Sequence, residues 1–298
     1  MKRSALLDHG RSLIDPYRVT KGGRFRLKHH DPGDTGKIDE ASAGALLAAG
    51  IQALGTLQER LYADDRASAL FIFQAMDAAG KDSAIKHVMT GLNPQGCQVA
   101  AFKAPSAQEL DHDFLWRCQR ELPEGGRIGI FNRSYYEEVV VVRVHPEFLA
   151  AQRLPAEPAG EELWEERYRQ IRHFERYLTA NGTHVTKFFL NVSKGEQKRR
   201  FLERIDRPEK NWKFSSGDLK ERARWKEYMN AYEAMIRETA SEDAPWYVVP
   251  ADHKWFTRLV VAAAAVDTLA RIDPQFPAVS AEKKADLAAC KKALLAEK

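Results

Sequence analysis

Short runs of β-branched and aromatic residues recur five times along the chain, separated by longer stretches whose apolar residues lie three or four positions apart. The five runs are Ala69–Gln74, Gln98–Lys103, Arg127–Asn132, His184–Leu190 and Trp246–Pro250. Strand-like segments that alternate with helix-like segments are typical of β-α-β units, which build a parallel sheet with helices on both faces. The pattern therefore predicts an α/β protein with a five-stranded, mainly parallel sheet.

Three helices are predicted from one apolar stripe each, and a fourth from a capping box formed by Ser106 and Glu109, which opens a helix towards Glu121. Five of the six residues 139–144 are β-branched valines and favour a strand, whereas a helix leaving the preceding strand fits the topology better. Residues 154–160 contain two prolines and are predicted to form a loop. The stripes comprise Leu47, Ile51, Leu54 and Leu61; Trp164, Tyr168, Ile171 and Leu178; and Trp225, Met229, Tyr232 and Ile236.

The chain shows no internal repeat and is predicted to form one domain, residues 1–298. Residues 1–40 are rich in glycine, aspartate and basic side chains, which indicates an irregular N-terminal arm. Residues 69–92 have the pattern strand, loop, helix. Residues 193–226 are a basic helical insertion, and residues 274–298 are a tail with a short amphipathic helix.

Composition excludes a wholly disordered chain, since 44% of the 298 residues are hydrophobic and 30% are charged. The longest uninterrupted apolar run, Leu259–Val266, is eight residues long and too short to cross a bilayer. No secretory signal is visible, and the three scattered cysteines form no CxxC motif. We therefore expect a cytoplasmic protein with reduced thiols and no membrane partner.

Positive charge is concentrated in two segments, although the net charge is only +4. Residues 194–226 contain twelve Lys or Arg and six Asp or Glu, and Tyr17–His30 contains five Lys or Arg and no acid. Such zones indicate a polyanionic partner, although either segment alone fits a solvated surface equally well.

A small-residue loop follows the first predicted strand and leads into a helix that begins with Gly80-Lys81. Backbone amides that turn inward, a helix N-terminus and a lysine together bind phosphate. The match to GxxxxGK[ST], the Walker A pattern, is imperfect, because Ala75 replaces the first glycine and Asp82 precedes Ser83 where Ser or Thr is usual. A glycine-containing turn without a ligand is the alternative.

The third predicted strand ends at Asn132-Arg133, where related folds present a carboxylate to a metal. Asn132 can coordinate a metal through its carbonyl oxygen but brings no charge, so Asp77, with Asp82 or Glu137, must supply the anionic ligands. Arg133 is placed to neutralise a transferring phosphoryl group. A strand-end turn with a surface ion pair is the alternative.

The fourth predicted strand leads into a basic helix that Ser193 and Glu196 are predicted to cap. Its cations lie close together over the first turns, and we expect a mobile lid that closes over phosphates.

Five motifs in order resemble the polyphosphate kinase 2 family, over about residues 15–272. They are Gln74–Asp82, Phe131–Glu137, Val192–Gln197, Trp212-Lys-Phe and Ala244–Asp252. The resemblance implies a three-layer P-loop kinase fold, similar to thymidylate kinase, with a helical lid. It also implies phosphoryl transfer from inorganic polyphosphate that depends on Mg²⁺, with Mn²⁺ as the alternative metal. The Asn-Arg-Ser-Tyr-Tyr-Glu sequence is similar to the subgroup that accepts both nucleoside mono- and diphosphates, so ADP and AMP are the expected acceptors and ATP a product.

The expected site residues fall into three groups, of which the phosphate loop, Asn132, Arg133 and the lid cations from Lys194 onward follow from the resemblance, and the track follows from the basic N-terminal arm. We expect a homo-oligomer, a dimer or tetramer, with no nucleic-acid partner. The groups are the catalytic residues Asp77, Lys81, Asn132 and Arg133; the phosphate-binding residues Ala78, Ala79, Gly80, Asp82, Ser83, Lys194, Arg200 and Arg204; and a polyphosphate track of Lys21, Arg24 and Lys28.

Two other functions fit parts of the pattern. An ATP-dependent nucleoside monophosphate kinase would use the same loop and lid. A non-catalytic polyanion or RNA binder would use the same basic zones, but RNA readers usually pair them with stacking aromatics on a sheet. Here the cations cluster around a Gly-Lys loop instead.

Overall fold

The computed structural model describes residues 3–152, 154 and 160–297, and its centre is a six-stranded sheet. The strand order is β1-β6-β5-β2-β4-β3, and all neighbours are parallel except β1 and β6. The strands are β1 Arg18–Val19, β2 Ser68–Gln74, β3 Cys97–Ala101, β4 Ile128–Asn132, β5 Thr183–Asn191 and β6 Trp246–Pro250.

The five predicted strands are confirmed, but the predicted strand count was wrong. The sixth strand, β1, lies in the N-terminal arm and pairs Arg18 with Tyr247 and Val19 with Trp246. Two residues are too few for an alternating pattern, so periodicity along the sequence cannot reveal this strand.

Helices cover the sheet on both faces, as β5 shows directly. Thr186 contacts Thr268 through their hydroxyl oxygens at 2.9 Å, while the next residue, Lys187, places its Nζ 2.6 Å from a carboxylate oxygen of Glu175. Because successive side chains of a strand point to opposite faces, the helices that carry Thr268 and Glu175 lie on opposite sides. β2 is buried along its whole length, as expected for a strand between two helical layers.

The α-helices within the described residues are α1 Arg3–Ile14, α2 Glu40–Asp64, α3 Lys81–Met89, α4 Ala107–Leu110, α5 Trp116–Gln119, α6 Glu137–Val144, α7 Gly160–Ala180, α8 Lys194–Asp206, α9 Ser216–Ala223, α10 Trp225–Thr239, α11 Lys254–Ile272 and α12 Ala281–Ala296. None of these helices is both long and apolar enough to cross a membrane.

Several local expectations change. The arm is irregular only in part, because it contains α1 and β1, and the helical pattern of α1 was missed. The helix predicted from Ser106 to Glu121 is split into α4 and α5, although its capping box is present. Residues 139–144 belong to a helix, α6. Most of the loop predicted at 154–160 lies outside the described residues.

The tail helix α12 differs from the amphipathic helix predicted there. Its side chains are exposed along the described length, including Leu287, Leu294 and Leu295. The apolar residues are distributed around the helix and form no single stripe, so α12 has no face with which to join the core.

Strand register brings the candidate residues together. Phe73 near the end of β2 is level with Asn132 at the end of β4, and Asn132 is level with Ala101 at the end of β3. The turns that leave these parallel strands therefore meet at one edge of the sheet, where ligands bind in open α/β folds.

Candidate functional site

A cleft of about 650 Å³ opens at this carboxyl edge of the sheet. The loop after β2 forms its floor, and the ends of β3 and β4 form one wall. Residues of α8, the following 3₁₀ turn and the start of α11 form the other wall. The lining residues are Asp77, Ala78, Ala79, Gly80, Lys81, Asp82, Ser83, Ala101, Phe102, Lys103, Ala104, Asn132, Arg133, Arg200, Glu203, Arg204, Lys210, Trp212, Lys213 and Lys254.

The loop Asp77–Ser83, which is predicted to bind phosphate, contains two residues with positive φ. Gly80 has a φ of +111° and stands at the N-cap of α3, a conformation that favours glycine. Ala78 also has a positive φ, +60°, which is unfavourable for a residue with a Cβ. The loop therefore holds strain at one residue, as binding loops often do.

Lys81 lies beneath this loop and not in open solvent. Its side chain is 9% exposed, and its Nζ donates a hydrogen bond to the carbonyl oxygen of Ala75 at 2.8 Å. Burial, and then the nearby guanidinium of Arg133, lower the pKa of Lys81 to about 8. A phosphate placed in the cleft would favour the charged form, so ligand binding and the charge of Lys81 are coupled.

This pKa predicts how activity depends on pH. The free enzyme keeps Lys81 charged below about pH 8 and loses that charge as the pH rises further. We expect kcat/KM, which reports groups of the free enzyme, to fall on the alkaline side near this pH. The decline of kcat should lie at higher pH, because bound phosphate raises the pKa of the lysine.

A pH–rate series on wild type and Lys81→Arg checks this assignment, because a guanidinium stays charged throughout the range. The arginine variant, however slow, should lose the alkaline decline. The same decline in both enzymes would assign it to another group.

Arg133 connects the two sides of the candidate centre. Its Nη2 lies 3.1 Å from Oδ1 of Asp77 and its Nη1 lies 3.4 Å from Oε2 of Glu137. The backbone φ of Arg133 is +65°, and its amide donates to the carbonyl of Phe73 at 3.0 Å. This unusual turn directs the guanidinium into the cleft. Burial raises the pKa of Glu137, although the charges of Arg133 and Lys81 oppose that rise.

Asn132 is also part of the cluster, since its Nδ2 donates to Oδ1 of Asp82 at 2.8 Å. The four residues predicted to be catalytic, Asp77, Lys81, Asn132 and Arg133, therefore all line the same cleft. They come from two turns more than 50 residues apart in sequence, which β2 and β4 bring together.

The carboxylates suit a Mg²⁺ ion that a substrate helps to hold. Asp77 and Asp82 line the cleft, whereas Glu137 is not among the lining residues. Among the described residues, no group of three or more His, Cys, Asp or Glu side chains could hold a metal ion by itself. Protein Mg²⁺ sites commonly use one or two carboxylates together with substrate phosphates, so this donor set fits.

The predicted lid residues have three different environments. Arg204 lines the cleft, and its Nη1 donates a hydrogen bond to the carbonyl oxygen of Lys213 at 3.1 Å. Lys194 is exposed and is not among the lining residues. Arg200 is 4% exposed and bonds to backbone carbonyls of the loop.

The predicted polyphosphate track lies outside the cleft. Lys21, Arg24 and Lys28 are exposed, and none of them lines it. Their segment is nevertheless anchored at the carboxyl edge of the sheet, because the carbonyl of His30 accepts a hydrogen bond from Nδ2 of Asn191, the last residue of β5, at 2.8 Å.

Nine lining residues were missing from the sequence-based set, and five of them bring a cation or an indole ring to the cleft. Lys103 follows β3 and Lys254 begins α11 after β6, so their position just beyond strand ends could have identified them. The indole of Trp212 is 79% exposed. It belongs to the Trp-Lys-Phe motif, which was noted without a role. The five residues are Lys103, Lys210, Trp212, Lys213 and Lys254.

Comparison with known proteins identifies relatives whose names agree with one another. A curated relative from Rhodopseudomonas palustris, "ADP-polyphosphate phosphotransferase", is 54% identical over 84% of this chain and 87% of its own length. One from Meiothermus ruber, "AMP/ADP-polyphosphate phosphotransferase", is 46% identical over 88% and 94%. The crystal structure of polyphosphate kinase 2 from Arthrobacter aurescens superposes with a TM-score of 0.86 at 40% identity, covering 94% of this chain and 96% of that one.

The family model "Polyphosphate kinase 2 (PPK2)" matches residues 37–277, a span that contains every lining residue of the cleft. The curated relatives and the superposed structure agree with this match. The chain belongs to the polyphosphate kinase 2 family.

Proposed function

We propose that this enzyme transfers the terminal phosphoryl group of inorganic polyphosphate to ADP and AMP, with Mg²⁺ as the metal. The observation that carries the proposal is the meeting of Lys81, Arg133 and Asp77 in one cleft whose other wall is lined with lysines. The names of the two relatives, which specify ADP and AMP/ADP, support the choice of acceptors.

The reaction is an in-line displacement at phosphorus. An oxygen of the terminal phosphate of ADP or AMP attacks the last phosphorus of polyphosphate. The bond from that phosphorus to the bridging oxygen breaks, and the shortened polyphosphate keeps the electron pair. The attacking phosphate is already an anion, so no strong base is required. The products are the next higher nucleotide and a chain shorter by one phosphate, and exchange between anhydrides of similar energy is reversible.

The residues of the cleft have separate tasks in this scheme. Lys81 and Arg133 place positive charge around the oxygens of the transferring group, where a loose transition state spreads negative charge. Asp77 orients Arg133 and, with Asp82, would hold the Mg²⁺ ion, which when bound neutralises and aligns phosphate oxygens. The walls of the cleft reduce access of water, which would otherwise hydrolyse the chain.

Polyphosphate is expected to lie along the lysine-lined wall of the cleft and to continue past the arm. Neutralising Lys210, Lys213 and Lys254 together, each by glutamine, should reduce the slope of log affinity against log salt by about 2.1–2.7, because each lost phosphate contact removes about 0.7–0.9. Binding of polyphosphate at several KCl concentrations measures this slope.

The arm should act only on long chains, since its cations lie outside the cleft. The triple variant of Lys21, Arg24 and Lys28 should lose affinity for long polyphosphate and keep that for tripolyphosphate and ADP. An equal loss for both lengths, or no loss, would show that the arm is only a solvated surface.

A nucleotide screen tests the proposal directly. The enzyme is incubated with polyphosphate, Mg²⁺ and each nucleoside mono- or diphosphate without ATP, and the products are separated by chromatography. Formation of ATP from ADP and of ADP from AMP is expected. Turnover of AMP only with ATP would favour a nucleoside monophosphate kinase, and tight RNA binding without transfer would favour a polyanion binder.

Assembly and location complete the proposal. We expect a dimer or tetramer, which light scattering at assay concentration would identify. We also expect a cytoplasmic enzyme, in agreement with the three free cysteines Cys97, Cys118 and Cys290.

A further inference from the structure

Two side chains of α8 reach beneath the phosphate loop and bind its carbonyl groups. Nε2 of Gln197 donates to the carbonyl oxygen of Asp77 at 3.0 Å. Nη1 of Arg200 donates to the carbonyl oxygens of Ala78 at 3.0 Å and Ala79 at 2.7 Å. Three consecutive carbonyls of the loop are therefore held by one helix that lies about 120 residues further along the chain.

The other hydrogens of Arg200 are occupied as well. Nη2 donates to the carbonyls of Ala251 at 2.6 Å and Asp252 at 3.1 Å, and Nε donates to Oε1 of Glu196 at 2.7 Å. A guanidinium has five N–H donors, and these bonds together with the two to the loop use five. Arg200 is also 4% exposed. It has no free donor for a phosphate oxygen in this arrangement, although it borders the cleft.

Holding the carbonyls determines where the loop amides point. In a trans peptide the C=O and the following N–H point in opposite directions. Carbonyls of Asp77 and Ala79 that face α8 therefore turn the amides of Ala78 and Gly80 away from it. The intervening amide, that of Ala79, donates to the carbonyl of Met76 at 3.2 Å within the loop. The side chains of α8 thus keep two loop amides free of α8 and available to a ligand.

The hydrogen bonds from Gln197 and Arg200 to the loop carbonyls, here called the clamp, are connected to the next helical segment. Nη1 of Arg222, on α9, donates to Oε1 of Gln197 and to the carbonyl of Lys194, both at 2.8 Å. A displacement of α9 would consequently shift the side-chain amide of Gln197. Through that amide it would also shift Asp77, whose carboxylate pairs with Arg133.

We propose that Gln197 and Arg200 are positioning residues that fix the phosphate loop from beneath, and that Arg200 is not a phosphate ligand. The effects on kcat that follow from this assignment rest on the proposed phosphoryl transfer. It replaces the role inferred from sequence, in which Arg200 binds phosphate directly. It also makes the first turns of α8 part of the loop's support, so that only the later part of the basic segment can move as a lid.

Two variants separate positioning from phosphate binding. Gln197→Leu removes one clamp bond and no charge, and Arg200→Gln removes the charge and most of the clamp. Both should lower kcat by about 100-fold, the size expected for a misplacement of about 1 Å at a reacting centre. Arg204→Gln, which removes a cation that lines the cleft, is the matched control.

Polyphosphate binding without nucleotide, measured at several salt concentrations, gives the deciding readout. Arg200→Gln should leave the slope of log affinity against log salt unchanged, whereas Arg204→Gln should reduce it by about 0.7–0.9. Hydrogen exchange of the peptide that contains residues 75–85 should be faster in Gln197→Leu than in wild type. Neither readout requires turnover, and hydrogen exchange requires no ligand, so the exchange readout stays valid even if the proposed function fails.

Arg200→Lys keeps the charge but cannot bridge four carbonyls with a planar fork, so it should be as slow as Arg200→Gln. If Arg200→Gln does not fold, Gln197→Leu and Arg200→Lys still decide the matter. The proposal is overturned if Arg200→Lys is nearly as active as wild type, if Arg200→Gln reduces the salt slope as Arg204→Gln does, or if Gln197→Leu leaves kcat and loop exchange unchanged. Absence of transfer from polyphosphate by the wild type would instead refute the proposed function.

Discussion

Lys81→Ala should reduce the rate of phosphoryl transfer by a factor on the order of 10²–10³. This is the size of the loss when one preorganised donor to a developing negative charge is removed. Lys81 meets the structural condition, because its ammonium lies beneath the loop and is held by the carbonyl of Ala75 at 2.8 Å. Steady-state kinetics with ADP and polyphosphate measure the effect, and it should appear mainly in kcat.

The fold should tolerate this substitution. The alanine removes one hydrogen bond, but it also removes a charge whose burial is unfavourable, as the lowered pKa of Lys81 indicates. Lys86→Ala, five residues later on the same helix and exposed, provides the control and should be close to wild type in both activity and melting temperature. A folded Lys81→Ala enzyme with nearly normal turnover would remove Lys81 from the mechanism.

Asp77→Asn should lower Mg²⁺-dependent activity by at least about 100-fold, since losses of 10–100-fold are typical even for groups that only support metal ligands. The substitution removes an anionic donor from the cleft and leaves Arg133 without its partner at 3.1 Å. Asn132 cannot compensate, because it carries no charge and its amide already donates to Asp82. Activity measured over a range of Mg²⁺ concentrations would show whether affinity for the metal, the maximal rate or both have changed.

Matched substitutions identify which carboxylate is the principal ligand of the metal. Asp82→Asn should have a smaller effect than Asp77→Asn, because Asp82 does not orient Arg133. Asn132→Asp, which places a second carboxylate beside Asp82, should change the metal preference. Full activity of Asp77→Asn at low Mg²⁺ would assign the role to Asp82 or Glu137.

The elements that sequence predicts well are those with a local physical cause. Residues 69–73 of β2 form a continuous apolar run because the strand lies between two helical layers, and Gly80-Lys81 marks the loop because glycine is needed at positive φ. The candidate centre was predictable for the same reason. Its residues directly follow strands, and the ends of parallel strands share one edge of the sheet.

Features that depend on distant partners were not predictable in this way. β1 exists only because β6 offers a free edge to Arg18 and Val19. Lys210 and Lys213 face the cleft because the chain turns back after α8, a turn in which Nδ2 of Asn211 donates to three carbonyls. Arg200 resembles a phosphate ligand in sequence, and only the positions of its five acceptors reveal another task.

The support beneath the phosphate loop also affects how this part of the protein can vary in evolution. Ala78 has a φ of +60°, a conformation that costs a non-glycine residue about 1–2 kcal/mol. Hydrogen bonds from Arg200 to the carbonyls of Ala78 and Ala79 can offset that cost, so alanines are tolerated where the loop would otherwise favour glycine. Positions 78 and 200 should therefore co-vary among relatives, with glycine at position 78 wherever the arginine is lost. A search that requires the glycine of GxxxxGK at position 75 overlooks such loops, because in this chain side chains from another helix hold the backbone in shape.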